Sequence, residues 1–202
     1  GVQPYSRDPN RAINSVSRSG LNLMLLEAAC REKTVEARFD LRCVDVDLAT
    51  GAAIFARADG STERIDADLV VGTDGAYSAV RGALQKTERF DYSQHYLGHG
   101  YKELTIPRRA DGSFAMEKHA LHIWPRGSSM MIALPNPDGS FTCTLFWPWE
   151  GAGSFAEVKG DAVVRSHFER VYPDAVPLMP TLVEDFARNP VGSLVTMRTS
   201  PW

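Results

Sequence analysis

LVVGTDGAYSAVR, from Leu69 to Arg81, is the stretch whose reading decides the fold. An apolar run ends in a small-residue turn carrying Asp74 and Gly75, and the residues that follow suit the start of a helix. Strand, tight turn and helix in that order form the building unit of an α/β architecture. Backbone amides at such a turn point outward beyond the strand end, and the next helix adds the positive end of its dipole, so diphosphates often settle there. A carboxylate at the same turn suits a ribose or ribityl hydroxyl. The plainer reading is that Asp-Gly after a strand simply caps the helix that follows, and the turn alone leaves both readings open.

Downstream, ALHIWPRGSSMMIALPNPDGSFTCTLF (Ala120 to Phe146) reads as three apolar strands joined by two turns. Arg126-Gly127-Ser128 makes the first turn and Pro135-Asn136-Pro137-Asp138-Gly139 the second, with Asp-Gly where a hairpin wants left-handed backbone angles. Met130, Ile132 and Leu134 alternate along the central strand, and Phe146 lies on the strand that returns beside it. The period of two therefore predicts one shared oily face. Such a face is either ordinary core or a binding surface.

Upstream, a helix is expected from about Gly20 to Arg31, with Leu21, Leu25 and Ala28 on one face and Ser17 or Ser19 as cap. A small meander is expected next, with strands near Val35 to Phe39, Arg42 to Leu48, Ala53 to Ala56 and Glu63 to Ile65, punctuated by Thr50-Gly51 and Asp59-Gly60. A parallel-type strand is expected at Leu69 to Val71. Beyond Phe90 the pattern becomes antiparallel sheet, then a helix near Asp161 to Val171 ended by Pro173, and a shorter one near Thr181 to Arg188. The pattern shifts near Arg89 without a linker.

The chain has 202 residues, 44% hydrophobic and 23% charged, with a net charge of -3, which is enough to build one core or two small ones. Acidic and basic residues are interspersed, so nucleic acid is a poor partner. No apolar run is long enough to cross a bilayer and no secretory signal is present. Cys30, Cys43 and Cys143 are far apart and lack metal-ligand spacing, which fits reduced thiols in a cytoplasmic compartment. His119 and His122 would point to opposite faces of a strand, and Gly98 and Gly100 argue against a helix that would align His95 with His99, so no metal site is expected. There is no G-x-S-x-G elbow and no Walker sequence. The four tryptophans are read as structural, although Trp147-Pro148-Trp149 could flank a pocket entrance.

Four segments resemble the kynurenine 3-monooxygenase family of flavin-dependent aromatic hydroxylases. They are SVSRSGLNLMLLEAA (Ser15 to Ala29), DLVVGTDGAYSAVR (Asp68 to Arg81), RFDYSQHYLGHGYKELTIP (Arg89 to Pro107) and the Ala120 to Phe146 block. The Asp-Gly segment is shared with the wider class of hydroxylases, whereas FDYSQ and HIWPR are more specific to the kynurenine branch. The resemblance implies an FAD/NAD(P)-binding-type flavin hydroxylase fold, α/β and in part α+β. Residues 1–89 would then form part of an FAD-binding domain, and residues 90–202 a substrate-binding domain with an antiparallel sheet and flanking helices. That family also carries a glycine-rich dinucleotide fingerprint and a second Gly-Asp flavin motif, and neither occurs here. The expectation is an internal piece that is inactive alone, with apolar surface uncovered around Leu69 to Val71.

By the same resemblance, the parent enzyme converts L-kynurenine to 3-hydroxykynurenine using FAD, O2 and NADPH as a transient cosubstrate, by way of a flavin C4a-hydroperoxide. Leu121, Met130, Ile132, Leu134 and Phe146 match positions lining the aromatic-substrate pocket, with Phe146 against the ring. Tyr5 matches a tyrosine that hydrogen-bonds the substrate carboxylate. Arg18 matches an arginine that contacts the flavin, Asp74 and Gly75 fall in the FAD pyrophosphate region, Cys43 is assigned a backbone contact with adenine, and Tyr101 lies in the flavin ring's neighbourhood. No side chain is assigned a catalytic role, because the flavin performs the chemistry. Two alternatives remain: a related FAD-dependent hydroxylase of another aromatic acid, and a non-catalytic β-rich binding domain.

Overall fold

The alternating block from Ala120 to Phe146 becomes three adjacent strands, and the rest of the larger unit is arranged around them. The computed structural model describes residues 1–8 and 10–201. In chain order the elements are α1 (Arg18–Cys30), β1 (Arg42–Asp47), β2 (Ala52–Ala56), β3 (Thr62–Asp66), a 3-10 turn at Gly75–Tyr77, α2 (Ala79–Leu84), β4 (Asp91–Ile106), β5 (His122–Arg126), β6 (Ser129–Pro135), β7 (Phe141–Pro148), α3 (Asp161–Val171), a second 3-10 turn at Val176–Leu178, α4 (Leu182–Arg188) and β8 (Val191–Ser200). The chain divides into two compact units. One joins Gly1–Leu26 to Leu97–Leu194, and the other joins Glu27–Tyr96 to the stretch from Val195.

In the first unit the sheet order is β5-β6-β7-β4-β8, and β5, β6, β7 and β4 pair antiparallel in sequence. One face of this sheet is dry. Met131, Ala133, Phe141, Cys143, Leu145, Trp147, Leu104 and Ile106 are almost fully buried there and pack with Val164 and Phe168 of α3 and Leu182 of α4. Trp147 belongs to this core, where its ring meets Phe155, His167, Phe168 and Phe186, so it does not flank an entrance on the other face. The Cys143 thiol is buried among the same side chains, and burial pushes its pKa up to about 12.

Two polar clasps tie the helices to the sheet. Lys102 on β4 is buried without a carboxylate partner, and its Nζ donates to the carbonyls of Phe186 (2.6 Å) and Asn189 (2.5 Å) at the end of α4. The C-terminal end of a helix leaves carbonyls without intrahelical donors, so a cation fits there. At the β5–β6 hairpin, Trp124 Nε1 donates to Asp174 (2.8 Å), and Arg126 donates to the Val171 carbonyl (2.8 Å) and pairs with Asp174 (3.2 Å). The hairpin is thereby pinned to the end of α3.

In the second unit β1, β2 and β3 form the expected antiparallel meander, with α2 against it through Ala83, Val80, Val46 and Ala53. Two expected strands do not form. Val35 to Phe39 and Leu69 to Val71 carry no ladder, and their side chains are largely exposed, 78% for Leu69 and 72% for Val71. A strand exists only through a neighbour's hydrogen bonds, and no segment among the described residues supplies that neighbour. The helix expected from Gly20 forms as α1, started by the Ser17 hydroxyl accepting from the Gly20 amide (3.2 Å), but none of its residues is buried.

The two faces of the larger sheet should respond differently to truncation. Leu145→Ala on the helix-covered face is expected to cost about 2 to 5 kcal/mol of stability, and Ile132→Ala on the half-open face about 1 kcal/mol. Urea unfolding followed by tryptophan fluorescence checks the ranking. Equal losses would contradict the assignment of faces.

Candidate functional site

Strand alternation brings apolar side chains together on the second face of the large sheet, beside Thr142, Thr144 and Glu103. Met130 lies opposite Phe146, Ile132 opposite Thr144 and Leu134 opposite Thr142 in the β6–β7 register. In the β7–β4 register Phe146 lies opposite Tyr101, and in the β5–β6 register Ile132 lies opposite Ile123. Leu121 immediately precedes β5 and is 37% exposed, as is Met130. Four of the residues expected to line an aromatic pocket, Met130, Ile132, Leu134 and Phe146, thus occupy neighbouring positions on one face, with Leu121 at its margin. They are half-buried to exposed, unlike the core on the opposite face. An apolar floor of this kind, left open on one side, suits a flat aromatic guest better than water.

Tyr101, expected near a flavin ring, is in register with Phe146 and belongs to this same face. A Cβ built on Gly192 would lie 2.3 Å from Cε1 of Tyr101, so the ring occupies space that only glycine leaves free on β8. His99 shares the face as well, opposite Pro148, and its Nε2 is 2.9 Å from the Ser128 carbonyl. Sequence reading missed Gly192 and His99 as parts of this surface. Only the strand register, which cannot be read from composition, brings them in.

The turn at Asp74 resolves in favour of its plainer reading without losing the other. The Asp74 carboxylate accepts from the amides of Ala79 (2.8 Å) and Val80 (3.4 Å), so it caps α2 from five residues upstream. Burial pushes this carboxyl up, but hydrogen bonds from Ser78, Ala79 and Val80 outweigh it and hold the group below the usual carboxylate range. Gly72 allows the close approach, since a Cβ there would meet Val80 at 2.8 Å. Arg81 locks the turn from behind by donating to the carbonyls of Gly75 (3.2 Å) and Ala76 (2.6 Å), with its guanidinium over the Tyr92 ring.

With those carbonyls drawn back, the amides of Gly75 and Ala76 have no acceptor among the described residues. Gly75 has a φ of 81°, and a Cβ built on it would meet nothing within 4 Å. Unpartnered amides at a glycine turn are the kind of donor that a diphosphate or a hydroxyl-bearing chain requires, so the turn is chemically compatible with the dinucleotide end of FAD. Cys43 on β1 is half-buried in the same unit, and its thiol is pushed up by burial and by the nearby charge of Asp74. Cys43 thus lies within reach of the Asp74 charge, in the same unit as the turn.

Tyr5 and Arg18 are different. Tyr5 is 68% exposed in an extended N-terminal segment, and Arg18 is exposed at the first position of α1. Neither forms a hydrogen bond to the open sheet face among the described residues. Groups of three or more His, Cys, Asp or Glu able to hold a metal are also absent among the described residues. No helix there is long and apolar enough to cross a membrane.

A mixed α/β chain with an antiparallel sheet that keeps one apolar face open, and with a glycine turn that offers free amides, has the architecture of the flavin-dependent hydroxylases. The FAD binding domain family matches residues 6–167, and the chain belongs to that family. It is 49% identical over 201 residues to the kynurenine 3-monooxygenase of Myxococcus xanthus (strain DK1622), covering 99% of this chain and 43% of the relative. It is 47% identical over 200 residues to that of Dictyostelium discoideum, again covering 99% of this chain and 43% of the relative. The chain thus spans somewhat under half the length of these relatives. Among solved structures it resembles a tetrameric form of 2-methyl-3-hydroxypyridine-5-carboxylic acid oxygenase, with a TM-score of 0.66 at 21% identity over 92% of this chain and 47% of that one. It also resembles Klebsiella pneumoniae HpxO complexed with FAD and uric acid, with a TM-score of 0.57 at 15% identity over 93% of this chain and 44% of that one.

Asp74 supplies a pH-dependent test of the turn. A carboxyl held below its unfolded value stabilises the folded chain above that value and loses its effect as pH falls through the folded one. Asp74→Asn, which keeps an acceptor but removes the charge, is therefore expected to cost about 0.5 kcal/mol at pH 7, less if solvent screens it, and the difference from the wild type should close only below about pH 4. Urea titrations of both chains between pH 3 and pH 7 measure it.

Proposed function

We propose that this chain supplies the substrate floor and part of the FAD site of an enzyme that hydroxylates L-kynurenine to 3-hydroxykynurenine with NADPH and O2. The observation that carries the reading is the register that sets Phe146 between Met130 and Tyr101 on a half-open apolar face. Similarity to kynurenine 3-monooxygenases along the whole chain supports the same substrate. Bound FAD supplies the activation of oxygen, a reaction beyond any protein side chain.

The chain's own residues bind, orient and keep water away. Phe146 supports the substrate ring, while Ile132, Leu134, Leu121 and Met130 surround it with hydrocarbon. Their exclusion of water matters because a wetted reaction site diverts reducing equivalents into hydrogen peroxide. Tyr101 borders the same surface, in a position from which its ring guides either the substrate or the flavin edge. The Gly75 and Ala76 amides hold phosphate or ribityl oxygens of FAD, and Asp74 keeps that turn rigid by capping α2. Tyr5 donates to the substrate carboxylate through its phenol, and Arg18 serves the flavin oxygens. Residues 1–89 contribute part of the FAD-binding domain and Tyr5, and residues 90–202 form the substrate-binding domain. Three unpaired cysteines suit a cytoplasmic setting.

Titrating FAD into the chain and following flavin fluorescence, with and without L-kynurenine, tests the proposal. Saturable quenching that kynurenine strengthens is the expected result. In the full-length enzyme, Phe146→Ala should lower kcat/KM for L-kynurenine about tenfold or more and raise the share of NADPH lost as hydrogen peroxide. Unchanged kinetics and coupling would remove Phe146 from the site.

A further inference from the structure

On the helix side of the larger unit, away from the open sheet face, a surface cleft of about 420 Å³ lies between the β5–β6 turn, the loop before α3 and α3 itself. A second hollow of about 350 Å³ shares Glu157, His167 and Arg170 with it. Neither contains a residue assigned above to substrate or flavin.

The chemistry of the lining is specific. His167 is 91% buried, being 9% exposed, yet it borders both hollows. Its Nδ1 lies 3.3 Å from an Arg170 guanidinium nitrogen, and because a guanidinium can only donate, Nδ1 accepts. Burial and the neighbouring Arg170 charge push the imidazole pKa down, against a smaller opposing pull from Glu157, so the ring is neutral and carries its proton on Nε2. That N–H has no acceptor among the described residues. Gly153 lets the loop fold close over the ring, since a Cβ there would meet His167 Cε1 at 3.1 Å.

The charges around the cleft decide what it takes. Arg126 is already paired with Asp174. Arg170 and Glu157 have no ion-pair partner among the described residues, although Glu157 accepts from the Gly153 amide. Among the described lining residues, one cation and one carboxylate without an ion-pair partner and one neutral N–H donor remain. A simple anion would gain from Arg170 and His167 but would be repelled by Glu157, and a simple cation would meet the reverse. We propose that this cleft binds a small zwitterion of the α-amino acid type, its carboxylate on Arg170 and its ammonium on Glu157, beside the buried His167 ring. Ser128 lines the same cleft. The proposal is independent of the flavin reading, since it uses another face of the sheet and no cofactor.

The test follows the His167 Cε1–H resonance by NMR in this chain, while L-alanine, acetate or methylammonium is added up to about 50 mM. L-alanine should shift the resonance saturably, and acetate and methylammonium should each bind about tenfold more weakly. Arg170→Gln should weaken L-alanine about tenfold. Glu157→Gln should weaken L-alanine but strengthen acetate, because it removes the repulsion while leaving the anion partners. The absence of a saturable shift with L-alanine would overturn the site. So would acetate binding as well as L-alanine in the wild-type chain, a comparison that holds even if a variant fails to fold.

Discussion

The period of two along β6, β7 and β4 is the constraint on which the larger unit depends. Once Met131, Ala133, Cys143, Leu145 and Leu104 are committed to the helices, Met130, Ile132, Phe146 and Tyr101 have no choice of side. A slip of one residue would bury Phe146 and expose Leu145. Core formation and the presentation of the apolar floor are therefore one event, and the stability of the first fixes the geometry of the second.

The helices keep that division stable. Lys102 draws the end of α4 onto the sheet through neutral carbonyls, so its attachment does not depend on a carboxylate that pH or salt could remove. Asp174 holds both Trp124 and Arg126 and fixes the β5–β6 hairpin at the far edge. In the smaller unit Asp74 and Arg81 do comparable work on a tighter scale. One satisfies the amides that begin α2, and the other draws the carbonyls of the preceding turn inward.

How much was legible in the sequence depended on whether the signal was local. The β5–β6–β7 block could be read because alternation and turn residues, notably Gly127 and the Asp138-Gly139 pair, are encoded within a few positions. The helix over Asp161 to Val171 was legible for the same reason, and Pro173 marks its end. Val35 to Phe39 and Leu69 to Val71 have strand composition, but a strand also needs a neighbour, and composition does not carry that information. The capping role of Asp74 was one of two readings. The grip of Arg81 on the turn, the space that Gly192 leaves for Tyr101 and the burial of Lys102 all arise from contacts between distant positions. The site residues were reached through family resemblance, and alternation by itself could not separate a pocket wall from ordinary core.

Cys143 gives the dry face a further consequence, in redox terms. The thiolate is the form that reacts with oxidants, and a thiol whose pKa is pushed up to about 12 stays protonated at neutral pH. This sulfur sits on the strand directly behind the apolar floor, paired in register with Ala133 and Leu104. Were the proposed oxygen chemistry to run beside that strand, leaked peroxide would drive an ordinary cysteine up the oxidation ladder toward sulfenic and sulfinic acids. The packing that defines the sheet's two sides also keeps its buried sulfur chemically silent.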